Sequence, residues 1–311
     1  MRAAGVTEYG GPGALHLVDV PPEPLGPGEV RLRVQAAAVS PTDTHLVAGA
    51  YADRDPVKTP PWVPGMDAAG VVAEVGDGVA HVRPGDLAMG IVLPHGAHGA
   101  YREDLVLPGD SVVRAPAGAD AVAASTLPMN GLTARMALDR MALQPGQVLA
   151  VTGSAGAFGG YVVQLAKAEG LTVVADASEA DEQLVRELGA DLVVRRGDDV
   201  AARVREHFPA GVDGLADGSV QGAAVLPAVR DGGAVATVRG WKGDGQRGLR
   251  VLPNQVARAA LDRPGLDRLR QQVEDGVLTL RVARTFPAAE AAEAHRMLAR
   301  GGVRGRLVIT F

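Results

Sequence analysis

Between residues 29 and 38 the sequence reads EVRLRVQAAA, apolar at every second position until it ends in alanines. Such alternation predicts a strand with one buried face. Gly70–Val75 and Asp86–Val92 are further short apolar runs, and turn signals stand at Pro24–Gly28, Gly76–Gly78 and Pro84–Asp86. That spacing fits an irregular β-barrel better than βαβ units. Near residue 120 the period changes. Ala121–Leu143 is rich in Ala, Leu and Met at helical spacing and is interrupted at Pro128. Strands are then expected at Gln147–Thr152, Thr172–Ala175, Leu192–Val194, Gly214–Ala216 and Ala234–Val238. Helices are expected between them at Phe158–Glu169, Glu179–Leu188, Val200–His207 and Ala223–Val229. This alternation predicts a doubly wound parallel sheet. Beyond residue 262 the pattern predicts helices at Leu266–Glu274 and Ala288–Arg300 and strands at Val277–Val282 and Arg306–Thr310. This tail is expected to return to the first domain. The fold class is therefore α/β, with a β-barrel domain of residues 1–120 and 262–311 and a Rossmann domain of residues 121–261.

Composition narrows the function. The 311 residues are 47% hydrophobic and 22% charged, ordinary for a globular chain that buries its own core. Net charge is −5 with both signs scattered, so no basic stripe is offered to nucleic acid. There is no cysteine, which excludes disulfides, thiolate nucleophiles and Cys-built zinc sites. No segment has the roughly 18 apolar residues of a membrane span, and the N-terminus lacks the apolar run of a signal peptide. A cytoplasmic location with no membrane partner is the expectation.

The strongest motif is QVLAVTGSAGAFGGYVVQLAK. A predicted strand ends at Thr152, Gly153, Gly156 and Gly159 follow at three-residue spacing, and a helix begins. Small residues here let the backbone approach a pyrophosphate, and the helix N-terminus supplies free N–H groups. Gly153, Ala155, Gly156, Ala157, Phe158 and Gly159 are the expected cofactor-binding loop. Asp176 ends the second strand, 23 residues beyond Gly153, where an acidic side chain accepts from ribose hydroxyls and repels a 2′-phosphate. That favours NADH. Ser178 follows it, and Arg196 stands where it could meet the phosphate of NADPH instead, so NADH and NADPH both stay open.

These motifs resemble the medium-chain dehydrogenase/reductase superfamily, specifically its zinc-free quinone oxidoreductase (zeta-crystallin-like) branch. The likeness runs through AAAVSPTDTHLVAGAY, VPGMDAAGVVAEVGDGV with VRPGD, LPMNGLTARMAL, the glycine loop and AAEAHRMLARGGVRGRLVI. It implies a GroES-like barrel domain plus the Rossmann domain, with the active site in the cleft between them. Zinc-dependent relatives carry Cys at the position of Ser40 and His-Glu at those of Met66 and Asp67. Ser and Met do not make a zinc site, so no metal ligand is assigned. The resemblance also implies a homodimer.

Four residues are the catalytic candidates: Ser40, Thr42, His45 and Tyr51. By family position Ser40 and Thr42 face the nicotinamide, and His45 could relay a proton. Asn130, Thr133, Gly240 and Trp241 join the expected cofactor contacts. The branch usually has Asn and Tyr where this chain has Ser40 and His45. The implied activity is NAD(P)H-dependent, zinc-independent hydride transfer to a small-molecule quinone or α,β-unsaturated carbonyl. Two alternatives are an enoyl-thioester or natural-product tailoring reductase on the same fold, and a non-enzymatic NAD(P)H-binding redox sensor.

Overall fold

The alternating run at 29–38 forms a ten-residue strand whose Val30, Leu32 and Val34 are buried. It is the hub of a domain seen in a computed structural model that describes residues 1–311. In chain order the first elements are β1 (Arg2–Gly5), β2 (His16–Asp19), β3 (Glu29–Ala38), α1 (Pro41–Val47), β4 (Asp67–Val75), β5 (Leu87–Ile91), β6 (Asp104–Pro108), β7 (Val112–Arg114) and α2 (Ala121–Ala124). Next come α3 (Pro128–Met141), β8 (Val148–Thr152), α4 (Ala157–Ala168), β9 (Thr172–Ala177), α5 (Glu182–Glu187), β10 (Leu192–Arg195), α6 (Val200–His207), β11 (Val212–Asp217), β12 (Val229–Thr237) and β13 (Arg250–Pro253). Last are α7 (Arg263–Glu274), β14 (Val282–Pro287), α8 (Ala291–Arg300) and β15 (Arg306–Thr310).

The chain forms two units, one of residues 1–129, 260–275 and 280–311, the other of 130–259 and 276–279. In the first, strands run in the order β14-β15-β3-β4-β5-β7, with β6 also paired to β3. All these pairs are antiparallel except β14 with β15. Leu32, Leu105, Leu107, Phe286 and Ile309 from four different strands share one core. Each such side chain contributes roughly 1.5–3 kcal/mol by leaving water. The first unit extends to residue 129 because Asp67 on β4 accepts the Met129 N–H at 2.6 Å, tying the first turn of α3 to the barrel.

In the second unit six parallel strands run β10-β9-β8-β11-β12-β13. The order reverses between β8 and β11, so the loop after β8 opens at the switch point of a Rossmann sheet, where ligands bind. VLAVT in β8 is apolar nearly throughout because both faces of a parallel sheet are covered. Short residues 276–279 belong here because Gln164 on α4 bonds both the Thr279 Oγ1 and its N–H.

Three expectations are corrected. Val277–Val282 is not a strand; β14 starts at Val282 and runs to Pro287, in the register that buries Phe286. The stretch at 223–229 is a 3-10 turn, Gly222–Ala228, because Pro227 cannot donate into an α-helix. Glu179–Leu188 begins as a 3-10 turn at Glu179–Asp181 before α5.

Candidate active site and nucleotide loop

The glycine loop follows from space. Gly153 sits at φ +68, a left-handed conformation that favours glycine, and a Cβ there would meet the Gly218 backbone at 2.9 Å. A Cβ on Gly159 would lie 2.4 Å from the Gly153 carbonyl oxygen. Gly156 is the N-cap of α4, and its N–H donates to the Gly153 carbonyl at 2.9 Å. Ala157 and Phe158 form the first turn of α4, and Ala155 precedes it in the loop. The result is a glycine-lined cradle at a helix N-terminus, a local geometry that suits a pyrophosphate.

Asp176 is 4% exposed at the end of β9 and accepts the Ser154 N–H at 3.1 Å. Burial pushes its carboxyl up, against the pull of the Ser154 and Gly153 N–H groups and of the Arg196 charge. Asp176 therefore anchors the loop whatever else it contacts. Ser178 Oγ donates to Asp181 Oδ2 at 2.5 Å. Asp217, which sequence reasoning missed, does parallel work at the end of β11. It accepts from Thr152 Oγ1 at 2.9 Å and from the Gln221 and Gly222 N–H groups at 3.1 and 2.8 Å. Its signal was the carboxylate closing the apolar run VDGLAD. Gly240 takes φ +76, and the half-buried Trp241 offers its carbonyl to Thr237 Oγ1 at 2.8 Å. Asn130 is half-buried on α3, and Thr133 is buried one turn further on.

In the first unit, Ser40 is the N-cap of α1, Pro41 is its first residue and Asp43 its third, the pattern of a helix start. Ser40 is fully buried. Its N–H donates to Asp43 Oδ2 at 2.8 Å, and its hydroxyl proton finds no acceptor in the protein. Thr42 and His45, both half-buried, are three residues apart on α1 and so share one face. Tyr51 lies in the turn beyond, 37% exposed. Ser40, Thr42 and His45 thus all lie on α1 or its cap, and Tyr51 in the turn that follows.

Sequence reasoning missed the Tyr101–His295 pair that stands behind Ser40 and Asp43. Asp43 is fully buried and takes three donors: Ser40 N–H, Gly65 N–H at 3.2 Å and Tyr101 O–H at 3.0 Å. Burial raises its carboxyl to about 6, with the Ser40 N–H, Arg306 and the Tyr101 hydroxyl opposing. Tyr101 in turn meets His295 Nε2 at 3.1 Å. One signal was available: in AAEAHRML, His295 occupies the buried face of α8 with Ala291 and Ala294.

The zinc positions of the relatives carry a different donor set. Asp67 Oδ2 accepts from Arg306 Nη2 at 2.8 Å and Oδ1 from the Met129 N–H, so both oxygens are engaged. Met66 offers a thioether and Ser40 a hydroxyl. These residues do not fit a zinc ion.

A two-unit α/β protein with a GroES-like barrel, a Rossmann sheet and a glycine cradle at its switch point has the build of a nicotinamide-dependent oxidoreductase. Residues 26–117 match the alcohol dehydrogenase GroES-like domain family and residues 188–309 the zinc-binding dehydrogenase family. A 2-haloacrylate reductase of Burkholderia sp. is 30% identical over 99% of this chain and 98% of its own length. A pikromycin polyketide synthase component of Streptomyces venezuelae is 37% identical over 55% of this chain, which spans 4% of that protein. The quinone oxidoreductase structure from Coxiella burnetii superposes with TM-score 0.87 at 27% identity, covering 100% of this chain and 99% of the other. The chain belongs to the medium-chain dehydrogenase/reductase superfamily, among its quinone-oxidoreductase-like NAD(P)H-dependent reductases.

Proposed function

We propose that the protein reduces a quinone or an α,β-unsaturated carbonyl at the expense of NADH or NADPH. The observation that carries this reading is the donor set at the former metal positions. Both Asp67 oxygens are engaged, and Ser40 keeps a buried hydroxyl whose proton has no acceptor in the protein. When bound, a dinucleotide would supply the hydride. Gly153, Gly156 and Gly159 would hold its pyrophosphate, and Ser40 and Thr42 would donate to a carbonyl oxygen on which charge develops. A reduced quinone or enone gives a delocalised anion that water protonates. A simple ketone gives a far more basic alkoxide and needs a metal or a strong acid. The relatives are in keeping with an activated alkene or quinone. The match to a polyketide synthase component favours an enoyl thioester as the second reading.

The test is coenzyme oxidation with quinones, enones, enoyl thioesters and simple ketones. Quinones or enones are expected to turn over and simple ketones to fail. His45→Ala and Tyr51→Phe should each cost less than about 100-fold on a quinone, below what a general acid contributes. Equal turnover of simple ketones, or a loss of about 1,000-fold in His45→Ala with coenzyme affinity unchanged, sinks the proposal.

Coenzyme choice rests on Asp176, whose charge favours NADH. Asp176→Asn keeps an oxygen for the Ser154 N–H and removes the charge facing a 2′-phosphate. The NADPH-to-NADH preference should rise about tenfold, the size of one charge-assisted interaction. Titration of both coenzymes on wild type and variant reads it directly. A wild type that already binds NADPH more tightly would make Arg196 the phosphate partner instead.

A further inference from the structure

We infer that His295, acting through Tyr101, is a positioning residue that sets the Asp43 carboxylate and with it the Ser40 end of α1. The inference rests on the reading above, in which Ser40 serves the reaction.

The proton bookkeeping fixes the direction of the chain. Tyr101 has one hydroxyl proton, and it goes to Asp43 Oδ2 at 3.0 Å. Towards His295 Nε2, 3.1 Å away, the phenol oxygen accepts, so Nε2 carries the imidazole proton. Nδ1 is then a bare acceptor, and it is buried without a partner. A leucine at this place on α8 would satisfy the core better. What the imidazole adds is a donor to the tyrosine oxygen, which fixes the hydroxyl rotor on Asp43 and strengthens it as a donor. The rings meet edge to face, with centroids 5.8 Å apart and planes at 83°.

The surroundings are shaped to admit this chain. Gly65 has φ +109, and a Cβ on it would lie 2.5 Å from the Tyr101 ring. Its N–H is one of the three donors to Asp43. Asp43 thus gathers the start of α1, the segment before β4 and the segment before β6 on one carboxylate. Through the Ser40 N–H it fixes the residue whose hydroxyl proton is left over.

Loss of the His295 donor weakens the hold on the ionised carboxylate. The other groups facing Asp43 are Arg306, which favours its charge, and Asp67, which opposes it. Neither replaces a hydrogen bond. When Asp43 takes a proton, one of its oxygens ceases to accept and the Ser40 end loosens. His295 itself is kept neutral by burial, its imidazole pushed down to about 4.

The experiment compares His295→Phe, His295→Gln, Tyr101→Phe and Ser40→Ala in the full chain. Turnover of a naphthoquinone with saturating NADH is followed from about pH 5 to 8, and amide exchange of residues 39–47 is measured without coenzyme. His295→Phe should move the acid limb of kcat up by about one pH unit and lower kcat about fivefold at pH 6, with KM for NADH within about twofold. Exchange at the Ser40 amide should quicken about tenfold. His295→Gln, whose Nε2 can still donate, should restore both. Tyr101→Phe keeps the ring and should repeat the His295→Phe result, which covers the case in which the histidine variant does not fold. An unmoved pH limb and unchanged exchange in both His295→Phe and Tyr101→Phe overturn the inference, as does failure of Gln to rescue. Ser40→Ala separates the two readings. If it leaves turnover unchanged, the role given to Ser40 fails, and amide exchange alone then decides whether His295 positions the segment.

Discussion

Replacing Arg306 by leucine should lower the unfolding free energy by about 3–5 kcal/mol, the usual cost of stranding one member of a buried ion pair. Arg306 and Asp67 meet at 2.8 Å with side chains 4% and 0% exposed. Arg306 also gives its Nε–H to the Val39 carbonyl at 3.2 Å, so the guanidinium ties β15 to the end of β3 as well as to β4. Without it, Asp67 retains only the Met129 N–H and must stay charged in the core or take a proton. Its carboxyl is already raised by burial, with Arg306 the largest opposing influence. The loss should therefore shrink as pH falls and the carboxyl is neutralised. The double variant Arg306→Leu with Asp67→Asn should recover most of the stability, because the pair is worth little against an uncharged one. Urea unfolding of the three proteins measures this. A loss under about 1 kcal/mol in Arg306→Leu would mean that water reaches Asp67.

Neither this pair nor the Asp43 chain was legible in the sequence. Arg306 and Asp67 are 239 residues apart, Tyr101 and His295 194. No periodicity relates such positions. Patterns within one element were another matter. The alternation in β3, the valine-rich β8 and the glycine triplet each declare a local geometry, and the β-barrel-plus-Rossmann architecture follows from their order. Where tertiary pairing overrides local pattern, the reading slipped. LTLRV alternates like a strand, yet Thr279 is held by Gln164, and pairing with β15 starts only at Val282. The edge strand β13 escaped notice because RVLP is short, half-exposed and ends in proline. Around α1, sequence supplied the candidates Ser40 to Tyr51, and not the Tyr101 and His295 side chains that back Asp43. A histidine on the apolar face of α8 was the one available cue.

The second large effect concerns pH. Asp43 is raised by burial to about 6 from the usual carboxylate value near 4. A group whose folded value is raised contributes stability that is complete below the unfolded value and lost as pH rises through the folded one. Wild type should therefore lose about 2 kcal/mol on account of Asp43 between roughly pH 4 and 6. His295 runs the other way. Its folded value is depressed to about 4, so the unfolded chain takes up a proton below about pH 6.5 that the folded chain refuses. Near pH 5 the folded pair holds one proton, on Asp43, and the unfolded pair also holds one, on the histidine. The two slopes then largely cancel in wild type. Asp43→Asn removes one of them. The variant should be less stable at every pH, because its amide turns a donor towards Ser40 N–H or Tyr101 O–H. Its deficit should be largest near pH 4 and smaller by about 2 kcal/mol near pH 6.5, where wild type carries the cost of the buried charge. Urea midpoints of both proteins across this range give the difference directly, with all other carboxylates cancelling in the subtraction. A deficit that stays constant from pH 4 to 6.5 would show that Asp43 is ionised in the folded protein throughout, and that its three donors outweigh burial.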